Sequence, residues 1–336
     1  ASQGFKISGD ATASYVGNTV SSAGDFNGDG FDDLMTSGTI ILGSASTGNI
    51  SLTTASNVFK IAGITSSGIT PSSFGDFNGD GLDDVVMPTS GKTYVVFGKT
   101  DSNAITLDAS KNFTNASMGL VINDPSATTG TGHRTTMLGD VNGDGLADVG
   151  ITNQAGAYHY VVFGTTSTTP IALSSLSSGT PTGGFVITGV SGNFNGMAPA
   201  GDLNGDGLMD VLVMNSGDTA YGAAYGAGYV VFGRTGTSTV NVDTMAGSEG
   251  FRIVGWSGAL TLGAMADRAT SSSAGDINGD GFDDLVIGAQ NSTANGISYA
   301  GQTYVVYGGA SEYTSLVFNT ANGDAIGTAG NDTLGD

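Results

Sequence analysis

The sequence predicts an all-β fold, a single β-propeller of five blades with four antiparallel strands each. Three observations carry this. A nine-residue motif, D-x-N-G-D-G-x-x-D, begins at Asp25, Asp76, Asp140, Asp202 and Asp276. The intervals of 51, 64, 62 and 74 residues suit propeller blades better than solenoid turns. The 57 glycines, with Val, Ile, Phe and Tyr among Ser, Thr and Asn, are the composition of short strands and tight turns.

Each unit reads as four strands. The first is built of small residues and ends just before the acidic motif, at 20–24, 71–75, 136–139, 198–201 and 272–275. The second leaves the motif as an apolar run at 34–35, 85–87, 149–151, 211–214 and 285–287. The third is aromatic and β-branched and ends in glycine, at 40–43, 94–98, 160–164, 229–233 and 304–308. The fourth alternates, at 59–61, 120–122, 185–187 and 251–253. Its fifth copy, Phe5-Lys-Ile7, stands at the N-terminus, while Ser315 to Phe318 looks like the linker segments 50–52 and 105–107. The N-terminal strand is therefore expected to complete the last blade, which removes free sheet edges. A seven-bladed ring is the alternative and needs two blades without any repeated feature. Residues 1–318 are expected to form this domain, and 319–336 a tail or linker.

The acidic motifs suit a hard cation. Oxygen side chains fall at the first, third, fifth and ninth positions, with glycine at the sixth, where a sharp turn favours positive φ. The apolar residue at the seventh position would offer its carbonyl and turn its side chain inward. The expected ligand sets are Asp25, Asn27, Asp29, Phe31 and Asp33; Asp76, Asn78, Asp80, Leu82 and Asp84; Asp140, Asn142, Asp144, Leu146 and Asp148; Asp202, Asn204, Asp206, Leu208 and Asp210; and Asp276, Asn278, Asp280, Phe282 and Asp284. About five structural Ca²⁺ ions follow. An EF-hand would need Glu at the twelfth position; Thr36, Met87, Ile151, Val213 and Ile287 stand there.

Charge supports this reading. The net charge is −21, and of 30 acidic residues only Glu249 and Glu312 are Glu. Most of the Asp lies in the motifs, so five divalent ions would bring −21 to −11. Nine Lys and Arg leave no basic stripe, which disfavours nucleic acid and anionic membrane as partners. Without Cys, metal is the obvious substitute for disulfides in a secreted chain. The chain starts without Met and is expected to be a processed or excised piece of a longer protein.

The D-x-N-G-D-G-x-x-D loops and the apolar strand after each resemble the FG-GAP repeat family, found in integrin α-subunit propellers and bacterial secreted proteins. The resemblance covers residues 1 to about 318. The F-G and G-A-P halves are eroded, with Tyr15-Val-Gly17 and Phe194-Asn-Gly196 near the first and Ile287-Gly-Ala-Gln290 near the second. The resemblance implies structural calcium sites on the face opposite the ligand-binding loops. It departs from the integrin propellers, which have seven blades. The tail, with Asn322-Gly-Asp-Ala-Ile-Gly327 and Asn331-Asp-Thr-Leu-Gly335, looks like the start of RTX nonapeptide repeats, which implies type I secretion and an extracellular or cell-surface place.

Catalytic signatures are lacking: no Cys nucleophile, no G-x-S-x-G and no H-E-x-x-H. His133 and His159 stand alone. Asp10, Asp124, Asp218 and Asp267 are the acidic residues expected on exposed loops. Binding has the better case. The loops joining strands two to three and four to one carry Tyr221, Tyr225, Tyr299, Trp256, Arg268, His133 and Arg134, aromatics and cations suited to a protein or glycan ligand. The expected function is a non-enzymatic recognition or adhesion module, monomeric within a larger secreted protein. A calcium-dependent lectin and a polysaccharide-acting enzyme are the alternatives.

Overall fold

The structure is a computed structural model that describes residues 4–9, 16–17, 19–36, 38–45, 48–52, 54, 56–61, 72–89, 91–124, 134–153, 158–178, 181–189, 194–215, 227–254, 271–289, 297, 300–310, 315–318 and 325–327. Among these, helix is confined to α1 (Leu173–Leu176) and one 3-10 turn, Ala116–Met118. No helix among the described residues is long and apolar enough to cross a membrane. The rest is the all-β, five-bladed propeller class expected from the repeats.

The chain divides into two compact units. One comprises residues 1–137, 145–149 and 164–175, the other 138–144, 150–163 and 176–336. In the first unit, β1 (Ile7–Ser8) pairs in parallel with β5 (Ile50–Ser51). The first blade is β2 (Val20–Gly24), β3 (Asp33–Thr36), β4 (Thr39–Ile41) and β6 (Val58–Lys60), in that order. The second is β7 (Ser72–Gly75), β8 (Asp84–Thr89), β9 (Lys92–Val96) and β10 (Gly119–Asn123), extended by the parallel strand β14 (Ile171–Ala172).

The third blade, which contributes to both units, is β11 (Arg134–Gly139), β12 (Asp148–Asn153), β13 (Tyr158–Val162) and β15 (Gly184–Thr188), extended by β19 (Val240–Asn241). In the second unit, the fourth blade is β16 (Phe194–Gly201), β17 (Asp210–Asn215), β18 (Ala227–Val231) and β20 (Gly250–Val254). Two more strands extend it, β24 (Ser315–Phe318) and β25 (Ala325–Gly327). The fifth is β21 (Ser271–Gly275), β22 (Asp284–Ala289) and β23 (Gln302–Val306). One detail differs from the sequence expectation: the fifth sheet has three strands among the described residues, not four. Within 319–336, β25 is a strand paired with β24.

The strands read as continuous apolar runs because blades bury both faces. In the fourth blade Val211, Val213, Tyr229 and Val231 pack against Leu138, Val161 and Phe185 of the third. The alternate residues Leu212, Met214, Val230 and Phe232 pack against Leu285, Ile287, Tyr304 and Val306 of the fifth. The first and second blades share a third cluster, with Phe26, Met35, Ile40 and Phe59 against Val85, Met87, Tyr94 and Val96. Each such side chain contributes about 1.5–3 kcal/mol on burial, so the period-2 alternation chooses a neighbour, not core versus solvent.

One register recurs outside the blades. A short strand following the third strand of one blade pairs in parallel with the fourth strand of the blade before. The partners are Ile122 with Ile171, Ile187 with Val240 and Ile253 with Leu316. Ile7 pairs with Ile50 in the same way. β1 thus has the register of a fourth strand, as its Phe5-Lys-Ile7 pattern predicts.

Candidate functional site

Each acidic loop links a first strand to a second, and its glycines shape it. Register shifts lie at Ser22/Gly24, Pro199/Gly201 and Ser273/Gly275. There Gly24, Gly201 and Gly275 have φ of 61°, 87° and 65°. Such bulges redirect the chain as it leaves the sheet. The sixth-position glycines, Gly30, Gly81, Gly145, Gly207 and Gly281, have φ between 85° and 93°, the left-handed turn expected of them.

Within the loops the acidic side chains gather backbone amides. In the second loop Asp76 Oδ1 accepts from Gly79 N (2.6 Å) and Asp80 N (3.1 Å), and Oδ2 from Gly81 N (2.9 Å). Asn78 Oδ1 accepts from Asp80 N at 2.8 Å, and Asn78 Nδ2 donates to Asp80 Oδ2 at 2.9 Å. Asp80 Oδ1 accepts from Leu82 N at 2.9 Å. The fourth and fifth loops repeat this pattern around Asp202, Asn204 and Asp206 and around Asp276, Asn278 and Asp280. Amides aimed at the first carboxylate favour its charged form. Accordingly the Gly281 amide, above all, holds Asp276 below the usual carboxylate range.

The ninth-position Asp behaves differently. It begins the second strand, so it is carried into the interior: Asp84, Asp148, Asp210 and Asp284 are fully buried and Asp33 nearly so. Asp84 Oδ1 accepts from Gly98 N at 2.8 Å and Oδ2 from Phe77 N at 2.9 Å. Asp210 accepts likewise from Gly233 N and Leu203 N, and Asp284 from Gly308 N and Ile277 N. This Asp therefore ties its loop to the end of the third strand. The glycine there is obligatory: a Cβ at Gly98 would strike Leu82 Cβ and Asp83 O, and one at Gly233 would strike Leu208 Cβ and Met209 O. Burial, reinforced by nearby loop carboxylates, pushes Asp33 up to about 6, Asp210 to about 7 and Asp84 to about 8.

Successive loops are joined to one another. The eighth-position amide donates to the first-position carbonyl of the preceding loop: Ala147 to Asp76, Met209 to Asp140 and Asp283 to Asp202, at 2.8–3.1 Å, and Asp83 to Asp25 at 3.4 Å. Two eighth-position carboxylates also bind back: Asp83 Oδ2 accepts from Asp25 N at 2.8 Å and Asp283 Oδ2 from Asp202 N at 2.9 Å. The sequence motif signalled only an unspecified residue at that position. The seventh-position side chains, expected to turn inward, lie over the preceding loop in four of the five repeats. Leu82 lies over Gly28, Leu146 over Gly79, Leu208 over Gly143 and Phe282 over Gly205, while Phe31 is 45% exposed.

The donor set fits a hard cation in chemistry, since every candidate is an oxygen. Asp33 adds a specific sign. Its Oδ1 accepts from Gly43 N, while Oδ2, buried, makes no hydrogen bond of good geometry, although the Phe26 amide nearby favours the anion. Among the described residues no three carboxylates or histidines converge into a closed ligand group. The loop carboxylates accept amides instead.

Of the residues expected to face a ligand, Tyr221, Tyr225, Tyr299, Trp256, Arg268 and His133 lie outside the described residues; Arg134 opens β11 and is half-buried. His159 is fully buried on β13, its Nδ1 3.2 Å from Thr152 Oγ1, and burial pushes its pKa down to about 3. It stays neutral and belongs to the core. Asp124, expected on an exposed loop, is 4% exposed, and its amide donates to Gly91 O at 3.0 Å.

The fifth repeat carries the loop, the apolar second strand and Gly288-Ala289 in one continuous stretch. Residues 269–306 match the FG-GAP repeat. That span holds β21, the fifth loop, β22 and β23. The match covers one repeat of the five, and the same acidic loop recurs in the other four blades. No curated protein matches this chain.

Proposed function

We propose that the chain is a calcium-stabilised extracellular recognition module of the FG-GAP type, non-enzymatic, engaging a protein or surface ligand. The observation that carries the calcium reading is the loop repeated five times. Each loop gathers three oxygen side chains and draws one buried Asp in behind them. Asp25, Asn27, Asp29 and Asp33 would hold the ion in the first loop, with the Phe31 carbonyl, and their counterparts would do so elsewhere. The ion would supply positive charge to carboxylates that burial otherwise drives toward protonation.

The recognition reading rests on topology. In an antiparallel blade, the loops joining strands two to three and four to one lie at the end opposite the acidic loops. The repeats differ most there, and Tyr221, Tyr225, Trp256 and Arg268 fall in the sequence stretches 216–226 and 255–270 between those strands, outside the described residues. Variation among otherwise identical units marks function rather than framework.

The test is a melting curve in excess EDTA and in calcium. With a site Kd of ~10⁻⁴ M, ~10 mM calcium adds about 2.7 kcal/mol per site, so chelation should lower Tm markedly and Asp76→Ala partially. An unchanged curve, with ion loss verified by elemental analysis, would overturn the calcium reading. Screening protein and glycan arrays with the wild type and with Tyr221→Ala/Tyr225→Ala tests recognition separately. Equal binding by both proteins would remove those aromatics from the ligand site, and glycan binding alone would favour a lectin.

A further inference from the structure

Every acidic loop has glycine after its third-position asparagine: Asn27-Gly28, Asn78-Gly79, Asn142-Gly143, Asn204-Gly205 and Asn278-Gly279. This dipeptide can undergo an intramolecular reaction. The deprotonated glycine nitrogen attacks the asparagine Cγ. An N–Cγ bond forms, the Cγ–Nδ2 bond breaks and ammonia leaves, giving a five-membered succinimide. Water then opens the ring at either carbonyl, yielding aspartate or isoaspartate. Glycine favours the step because no Cβ crowds the attacking nitrogen.

The structure ranks the five sites. In four loops the glycine N–H is held by the first-position carboxylate: Gly79 to Asp76 Oδ1 at 2.6 Å, Gly143 to Asp140 at 2.6 Å, Gly205 to Asp202 at 2.8 Å and Gly279 to Asp276 at 2.6 Å. A proton held by a carboxylate is harder to remove, and the nitrogen's lone pair, once formed, would face a negative charge. In the first loop Asp25 accepts instead from Asp29 N and Gly30 N, at 2.9 Å each, and among the described residues no hydrogen bond holds Gly28 N. The asparagine side chains do not explain a ranking, since all five donate Nδ2–H to the fifth-position Asp at 2.8–3.0 Å.

We propose that Asn27 is a site of spontaneous deamidation and the fastest of the five. Gly28 has φ of 73° with Leu82 lying over it, and Asn27 is half-buried whereas Asn278 is exposed, so the ranking rests on the Gly28 amide that no carboxylate holds and not on exposure. The products act on the loop in opposite ways. The aspartate product adds a carboxylate between Asp25 and Asp29. Isoaspartate lengthens the backbone by one carbon and destroys the spacing of the motif. This inference does not depend on calcium.

The experiment incubates the full chain in metal-free buffer at mildly alkaline pH and follows all five dipeptides by peptide mapping, which separates asparagine, aspartate and isoaspartate. Asn27 should convert about tenfold faster than each of the others, the rate equivalent of one charge-assisted hydrogen bond. Asn27→Gln can cyclise only to a six-membered imide, a far slower closure, so it should remove the fast phase and leave the four slow ones. Conversion at Asn27 no faster than at Asn78, Asn142, Asn204 and Asn278 would overturn the proposal, as would a fast phase that survives Asn27→Gln.

Discussion

In the fourth repeat Leu203, Val230 and Phe232 are buried, whereas their counterparts in the fifth, Ile277, Val305 and Tyr307, are 54%, 40% and 51% exposed. The two repeats share the acidic loop, the apolar second strand and the aromatic third strand. Their surroundings differ. In the fourth, β20 pairs with β18, and the fifth loop lies alongside, with Phe282 over Gly205 and Gly309 N donating to Leu203 O. The fifth sheet, among the described residues, ends at β23. Burial is thus conferred by the neighbour, not by the motif, as in other repeat arrays where each unit is stabilised by the next.

The strongest way to break this comparison is to truncate equivalent side chains. Phe232→Ala should cost about 3–5 kcal/mol, as a buried Phe does, while Tyr307→Ala should stay within about 0.5 kcal/mol. Urea unfolding of both variants measures the difference. Equal losses would mean that Tyr307 is covered in solution as Phe232 is.

A second measurement uses pH. Burial raises Asp210 from 3.8 to about 7, so the fold binds that proton more tightly than the unfolded chain does. Stability contributed in this way is present at low pH and is lost as pH rises toward the folded value. Asp33 and Asp84, at about 6 and about 8, act in the same sense. The metal-free chain should therefore lose stability between about pH 4 and pH 8. Asp210→Asn should flatten the part of that decline below about pH 7, read from denaturant midpoints across the range. A decline of unchanged steepness in the variant would remove Asp210 as its source. His159 works oppositely: its depressed value means stability is lost as pH falls below its ordinary value toward about 3.

The smallest effect concerns the joints between loops. Asp83→Ala and Asp283→Ala each remove one side-chain bond to the preceding loop and should cost about 1 kcal/mol. Met209→Ala, at the same position in a joint made by backbone alone, keeps its amide bond to Asp140 O. Hydrogen exchange at Asp25 N and Asp202 N should quicken in the Asp variants only. Unchanged exchange would show that the backbone bonds carry the joint.

Much of this was legible in the sequence. The five motifs located the loops, the second strands and the left-handed glycines, because D-x-N-G-D-G leaves little conformational choice. The third and fourth strands followed from β-branched and aromatic runs. The three-stranded fifth sheet was not legible, since Tyr304 to Gly308 reads like its four counterparts and pairing depends on distant residues. Nor was the role of Asp83 and Asp283, because Ala147 and Met209 occupy the same position in other loops. Asp124 misled for a related reason: a charge beside a loop suggests solvent, and only the chain's return past Gly91 buries it.

The parallel pairings of β14, β19 and β24 have a consequence for how this chain could be divided or extended. Each of these strands belongs in sequence to one repeat and in space to the sheet before it. A cut at a motif boundary would strip this parallel strand from a sheet that is otherwise intact. The segment that can be removed or duplicated without leaving such a wound begins after one of these strands and ends after the next. The unit of inheritance and the unit of assembly are therefore out of phase, and this offset knits the repeats together.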